Sequence, residues 1–470
     1  MKQEKNIRPF GWRDKVGYLF GDFGNDFTFL FASSFLMVFY TKVLGIDMGI
    51  VGTLFIVARC LDAFTDVTMG RLVDRMVPVK DGRFRPWIRR MCGPVAIASF
   101  LMYQSALAQA PMTVKIIYMF VTYILWGSIF YTAINIPYGS MASVLSEDPD
   151  DRAALSTYRS VGATLAGLLI GVLGPMLVYT EDAAGNQIVE GGRFTAVAAI
   201  FAVCAVTCYL LCYFMTTERV KIEPDFNGEK ISFGQTMKAI ITNRALLGII
   251  SAAILLLLAS LMTQSINQYV FIDYFNSKGA LSVMTICGIV PMLIIAPFTV
   301  PITKKFGKKE VGAVGCIIGG LSCLLLFVLK VESPAVYIAI SVVGYFGFGI
   351  FNLIIWAFIT DVIDDQEVRT GKREDGTIYA VYSFSRKIGQ ALAGGIGAYA
   401  LGIVGYDSSV QIQTKEVALG IYNVATLVPG ILYIGVGLCL IFIYPLNKKK
   451  IEENIHALKT RRIEKGETVY

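Results

Sequence analysis

Apolar runs of about twenty residues recur along this chain from residue 18 to residue 445, separated by short polar stretches. A helix crosses the hydrocarbon of a bilayer with about 20 predominantly apolar residues, so each run predicts one span. Twelve fit, at 18–43, 48–72, 91–109, 114–143, 153–180 and 194–216, then 245–272, 281–302, 311–329, 335–360, 377–404 and 417–445. They divide the chain into an N-terminal six-helix bundle (1–216), a cytoplasmic central linker (217–244), a C-terminal six-helix bundle (245–446) and a cytoplasmic tail (447–470). The linker holds Pro224, Asp225, Gly228 and five basic residues, and the charged tail is expected to be partly helical near the membrane surface. The chain is polar up to Lys15, and the first apolar run carries Asp22 and Asp26 without a cleavage pattern. It therefore reads as a retained first helix and not as a signal peptide.

The two sets of six carry an internal repeat. Shifting the chain by 227 residues aligns 147–167 with 374–394, and nine of 21 positions are identical, among them Ser156/Ser383, Arg159/Arg386, Gly162/Gly389 and Gly167/Gly394. Helices five and eleven are thus equivalent members of two related halves. Parallel repeats of this kind describe the major facilitator architecture, with substrate bound near the midplane. The expected fold is an all-α membrane protein of twelve transmembrane helices in two six-helix bundles.

Composition agrees: 55% of residues are hydrophobic, 16% are charged, and the mean hydropathy is +0.60. The net charge of +7 changes the picture only through its placement. Of 42 Lys and Arg residues, 32 fall on one side of the predicted spans, six on the other and four inside them. Basic residues are retained in the cytoplasm, which predicts a multi-pass inner-membrane protein with both termini cytoplasmic. The basic excess then answers to anionic lipid heads, and no nucleic-acid partner is expected. Nine cysteines all lie in apolar runs and the only histidine, His456, is in the tail. That excludes a disulfide framework and a zinc centre. No nucleophile–base pair, metal motif or nucleotide-binding loop is present, so neither an enzyme nor a bound cofactor is expected.

Four spans carry ionisable groups, each costing about 2.5–3.5 kcal/mol at a helix centre on insertion scales. In helix two, Arg59, Asp62 and Asp66 stand at i, i+3 and i+7 and share one face. Two carboxylates one turn apart repel, and low dielectric amplifies the repulsion. A proton or a bound cation relieves it. Thr65 and Thr132 offer hydroxyl oxygens, which suit hard cations. The bland alternative is a static salt-bridge cluster of Arg59, Asp62, Asp66 and Lys387. A second group suits a sugar, whose hydroxyls need fixed donors and acceptors and an aromatic face. It comprises Asp26 and Asn25 in helix one, Asn135 in helix four, Arg159 in helix five, Trp356 in helix ten and Lys387 in helix eleven.

These residues lie in motifs that resemble a known family. The run Gly24-Asn25-Asp26-Phe27, the sequence Val51-Gly52-Thr53-Leu54-Phe55 leading to Ala58-Arg59-x-x-Asp62-Ala63-x-x-Asp66, and Asn135-Ile136-Pro137 are similar to the melibiose permease family. Its wider name is the glycoside–pentoside–hexuronide:cation symporter family. Arg386-Lys387-Ile388-Gly389 adds to the match, and Gly70-x-x-x-Asp74-Arg75 with Gly82-Arg83-x-Arg85 resembles the major facilitator loop between helices two and three. The resemblance implies a cation site at Asp62, Asp66, Thr65 and Thr132, with the two carboxylates as metal ligands if the ion is Na+. It implies a sugar site at Asp26, Asn135, Arg159, Trp356 and Lys387, with Asn25 adjacent and Arg59 in the charge network. The chain departs from the melibiose pattern at Asn25, where a Lys is typical, at Thr65 (Asn), Asn135 (Asp) and Gly139 (Trp). These departures weigh against an α-galactoside, leave Na+ and H+ both open, and suit an anionic sugar such as a hexuronide.

The expected function is secondary active symport of a sugar with a cation, by alternating access. Its partners are the sugar, the ion and membrane lipids. A lipid or lysolipid transporter on the same scaffold is the rival reading, and a non-transporting sensor is a remoter one.

Overall fold

The computed structural model describes residues 8–79, 81–146, 148–220, 243–371 and 375–464. The linker segment 221–242, Glu147, Arg373 and the side chains of Asp74 and Lys387 lie outside the described residues. The described chain is almost entirely helical, as a polypeptide in hydrocarbon must be when every backbone N–H and C=O needs an internal partner.

Two compact units emerge. In the first, α1 (Trp12–Phe31) runs on through wide, π-helical turns to Val43, followed by α2 (Met48–Arg75) and α3 (Arg85–Leu101). Then α4 (Met112–Ile124) passes through a π-helical stretch, Leu125–Tyr131, directly into α5 (Thr132–Leu145), so that one rod spans 112–145. The unit continues with α6 (Pro149–Val178), a hairpin of β1 (Tyr179–Glu181) and β2 (Gln187–Val189), and α7 (Gly191–Met215). Segments Asn276–Ser282 and Gly405–Thr414 also pack in this unit. The second unit holds α8 (Arg244–Tyr269), most of α9 (Lys278–Phe306), α10 (Lys308–Leu329), α11 (Pro334–Thr370), α12 (Asp375–Ile403), α13 (Lys415–Leu438) and the tail helix α14 (Lys448–Glu464).

Counting 12–43 and 112–145 as single rods, the described residues form six long helices before the linker and six between it and the tail helix. Ten are long and apolar enough to cross a membrane by length and composition. The other two are the first, which carries Asp14, Asp22 and Asp26, and the eleventh, which carries Arg386 and Lys387. Internal packing repeats as the sequence does. In the first unit α1 packs on α6 and α7, and α7 on α3; in the second α8 packs on α12 and α13, and α13 on α10.

Local chemistry sets the helix ends. Asn243 accepts from the N–H groups of Ala245 and Leu246 at 3.0 and 3.1 Å, a side-chain N-cap. Pro149 and Pro334 begin their helices, where a missing N–H costs nothing. Gly371, at φ 72°, ends α11. The start of α3 is capped from afar: the Glu218 carboxylate accepts from the N–H groups of Arg83, Phe84 and Arg85 at 2.7, 2.9 and 2.7 Å. Gly82 (φ 112°) permits that approach, since a Cβ there would run into the carboxylate.

Two C-terminal helix ends differ by eight residues or more from the hydropathy reading. The third helix ends at Leu101, eight residues early, because Ser105–Gln109 forms a separate short turn of 3-10 helix. The tenth continues to Thr370, since a helix does not stop where its hydropathy falls. Its extension is held by polar contacts: Lys308 Nζ lies 2.6 and 2.8 Å from the Asp361 carboxylate, and Asn454 of α14 donates to Asp365 at 3.0 Å.

Candidate functional site

Two polar centres form in the first unit. The first is a ladder between α2 and the α4–α5 rod. Ser128 Oγ donates to one oxygen of Asp62 at 2.5 Å, and Thr132 Oγ1 donates to Asp66 at 3.0 Å. Each rung joins residues four apart on both helices, so the helical repeat brings acid and hydroxyl into register twice. Arg59 donates to the other Asp62 oxygen at 3.2 Å and lies over the Phe29 ring, its guanidinium carbon 5.7 Å from the centroid. Thr65 turns its hydroxyl proton to the Asp62 backbone carbonyl at 3.2 Å. The stretch Leu125–Tyr131 winds more widely than an α-helix, and Thr132 Oγ1 also lies 3.2 Å from Gly127 O, five residues back. Such wide turns are frequent at functional sites.

The second centre joins α1, α5, α6 and α7. Arg159 Nε donates to Asp22 at 3.1 Å, the arginine side chain being 41% exposed and the aspartate 12%. Its guanidinium carbon lies 5.4 Å from the centroid of Tyr138. Tyr138 in turn stacks on Tyr18 at 4.7 Å, and each hydroxyl donates to the other's backbone carbonyl. Asn25 is buried; it accepts from the Tyr209 hydroxyl at 2.7 Å and donates to Asn135 Oδ1 at 3.4 Å. Asp26 is half-buried and makes no hydrogen bond or ion pair with a described residue.

In the second unit Trp356 is 42% exposed and meets the Tyr382 ring edge-on at 5.0 Å. Arg386 lies over the Trp356 ring, 5.3 Å from its centroid. Lys387 is on α12, but its side chain is outside the described residues.

Asp62, Asp66, Thr65, Thr132 and Arg59 therefore gather in one place, and Asp26, Asn25, Asn135 and Arg159 in another. Sequence reasoning passed over Ser128, Asp22 as the partner of Arg159, and Tyr209. A signal existed for the first: Ser128 is one turn before Thr132 on the same rod. Tyr209 had none, because an aromatic in an apolar helix is ordinarily core. Chemically, the ladder offers two carboxylates and several hydroxyl lone pairs to a hard cation. The second centre offers charged and neutral donors beside one unpaired acid.

Comparison with known proteins shows the family. A family model described as MFS/sugar transport protein matches residues 17–448. The chain is 31% identical over 461 residues to a glucuronide carrier protein homolog of Escherichia coli K12, covering 97% of each. It is 30% identical over 458 residues to a putative glycoside/cation symporter of the same organism, again covering 97% of each. Among solved structures, a D-xylose–proton symporter superposes with a TM-score of 0.62 at 14% identity, over 92% of this chain and 97% of that one. That likeness supports the major facilitator fold. The chain is a multi-pass membrane transporter and not an enzyme, and it belongs to the glycoside–pentoside–hexuronide:cation symporter family of the major facilitator superfamily.

Proposed function

We propose that this transporter carries a sugar, a glycoside or hexuronide, together with Na+ or H+ across the inner membrane by alternating access, both termini being cytoplasmic. The observation that carries the reading is the ladder in which Ser128 and Thr132 hold Asp62 and Asp66 side by side. Without the ion the two carboxylates repel; with it the first unit is set for the sugar, which Asp26, Asn135 and Arg159 then hold with Asn25 adjacent. Trp356 and Lys387, on the second unit, enter the proposal as sugar-binding residues through the family resemblance alone. This linkage is reciprocal, so the sugar must tighten the ion by the same factor as the ion tightens the sugar. One positive charge moving inward gains about 2.3 kcal/mol per 100 mV, which corresponds to roughly 50-fold accumulation of a neutral sugar.

The test is sugar uptake and binding in vesicles for Asp62→Asn and Asp66→Asn, with Na+ or a proton gradient as the driving ion. Each variant is expected to lose cation-driven accumulation. Uptake at the full rate in either one would remove the ladder as the coupling site.

A further inference from the structure

An apolar groove opens in the second unit between α9, α10 and α11, with a volume of about 750 Å3. Ligand pockets measure about 300–1,000 Å3. Ile295 and Phe306 of α9 line one wall; Val314 and Ile318 of α10 and Val343 of α11 line the other. The second wall is continuous because α10 and α11 meet backbone to backbone. A Cβ on Gly315 would strike the Gly347 carbonyl, and one on Gly347 would strike the Gly315 carbonyl. The first wall stands apart. Only 17% of the residues in the apolar stretch of α9 are buried, against 44% in α10 and 39% in α11. Pro291, Pro297 and Pro301 lie within α9, and each removes a hydrogen bond from its ladder.

Length and charge both say what fills such a slot. From Ile295 to Phe306 the lining follows α9 for about 16 Å at 1.5 Å per residue. One leaflet's share of the hydrocarbon is about 15 Å. The end at Phe306 is basic. Lys304 and Lys305 close α9, Lys308 and Lys309 open α10, and Lys448 of α14 donates to the Lys305 carbonyl at 3.3 Å. Lys308 is answered by Asp361 at 2.6 Å, and Lys309 donates to the Tyr444 carbonyl at 2.7 Å. Lys448 lies 4.0 Å from Glu452. Lys304 and Lys305 pair with no described carboxylate, and Lys305 lies 5.1 Å from the Phe306 ring centroid. Glu310, the acid among the lining residues, folds over Gly307 at the start of its own helix, where a Cβ would run into its carboxylate.

We infer that this groove binds one anionic phospholipid, its acyl chain along Val314, Ile318 and Val343 and its phosphate at Lys304 and Lys305. Basic pockets between membrane helices take anionic head groups in this way. The tail alone gives no selectivity, since the surrounding lipid is as apolar as the wall. Shape therefore sets whether a lipid stays, and the lysines set which one. The inference goes beyond the symport reading and does not depend on it, because it concerns a site within one unit.

The experiment exchanges the purified, delipidated full chain into equal amounts of phosphatidylglycerol and phosphatidylcholine with the same acyl chains, and counts retained lipid by native mass spectrometry. The wild type is expected to retain phosphatidylglycerol about tenfold or more over phosphatidylcholine, the scale of two lysines near a membrane surface. Lys304→Gln combined with Lys305→Gln is expected to keep a lipid but lose most of that preference. Val343→Trp fills the slot from an exposed position and is expected to lose retention of both lipids. Glycerol phosphate, a head without a tail, is expected not to compete. A wild type indifferent to the head group overturns the inference, as does an undiminished preference in the lysine variant. Unchanged retention in Val343→Trp places the tail elsewhere and also overturns it. Displacement of the lipid by glycerol phosphate would make this a site for free phosphate esters, and the lipid assignment would fall.

Discussion

Arg159 and Arg386 occupy equivalent places in the internal repeat, 227 residues apart, yet their surroundings are of different kinds. Arg159 has a counter-charge, Asp22 at 3.1 Å, as well as the face of Tyr138. Arg386 pairs with no described carboxylate and lies against aromatic faces, Trp356 at 5.3 Å and Tyr382 at 6.0 Å. The contrast extends to the units around them. Described acids within the spans of the first unit include Asp22, Asp26, Asp62 and Asp66, whereas the core of the second is built on Phe351, Phe358, Tyr382, Tyr433 and their aliphatic neighbours. Duplication has kept a cation on both helices, but among the described residues only Arg159 has a carboxylate partner. A cation over an aromatic ring contributes about 0.5–2 kcal/mol. Removing one partner of a buried pair costs about 3–5 kcal/mol, here lessened by the exposure of Arg159.

The sharpest way to break this comparison is to delete the two arginines in turn. Arg159→Ala strands the mostly buried Asp22 carboxylate and removes the guanidinium from the proposed sugar site, and is expected to reduce kcat/KM by more than about a hundredfold, or over 2.7 kcal/mol. Arg386→Ala is expected to cost less than about tenfold, since it gives up a cation–π contact alone. Equal losses would mean that the repeat conserves role as well as position. Asp22→Asn placed on Arg159→Ala removes the stranded charge, so the melting temperature is expected to recover while uptake does not.

A smaller effect is expected at the ladder. Ser128→Ala and Thr132→Val each take one hydroxyl from a carboxylate, and cation affinity is expected to fall about tenfold, in the range of a single hydrogen bond to a charged group. Isothermal titration with Na+, or the pH dependence of sugar binding if the ion is H+, reads this directly. An unchanged ion response in both variants would reduce the rungs to packing. Smaller again is Trp356→Ala in the second unit, expected to weaken sugar binding by about fivefold, with Trp356→Phe close to wild type. No change in sugar affinity for either would leave Trp356 as a platform for Arg386 and Tyr382 alone.

How much of this was legible in the sequence follows from how far each signal reaches. Hydropathy marked all twelve long rods, because the need to bury a backbone in oil acts locally and over twenty residues. It missed where α11 ends, since Asp361 and Asp365 are stabilised by Lys308 and Asn454 from other helices. It also missed the hairpin at 179–189, which is too short to carry a pattern of its own. Helical spacing put Arg59, Asp62 and Asp66 on one face, and Thr132 was named both as a hydroxyl of the fourth span and through the family resemblance. The pairing of Arg159 with Asp22 spans 137 residues and that of Tyr209 with Asn25 spans 184. Neither belongs to a local period, so only the folded chain shows them.

The mildest test concerns a carboxylate of the first unit that lies in water instead of oil. Glu181 ends β1 and is fully exposed; the Gln187 amide donates to it at 3.0 Å and Lys278 Nζ lies 3.6 Å away. The hydrogen bond from Gln187, and then the charge of Lys278, hold its carboxyl below the ordinary glutamate value. A group whose folded value is lowered stabilises the fold above its unfolded value, and loses that contribution as pH falls through the folded one. The hairpin also carries contacts that acid leaves alone: Gln187 N–H donates to Asn276 at 2.6 Å, and Val189 N–H to Gln411 at 3.3 Å. Lowering the pH is therefore expected to reduce slightly the protection factors of the amides at 179–189, taken relative to the intrinsic exchange rate at each pH, and Glu181→Gln is expected to abolish that change in protection. Surface pairs of this kind contribute little, so sugar uptake at neutral pH should not change in the variant. Uptake that fell with Glu181→Gln as steeply as with the intramembrane carboxylates would erase the distinction between charges held in oil and charges held in water.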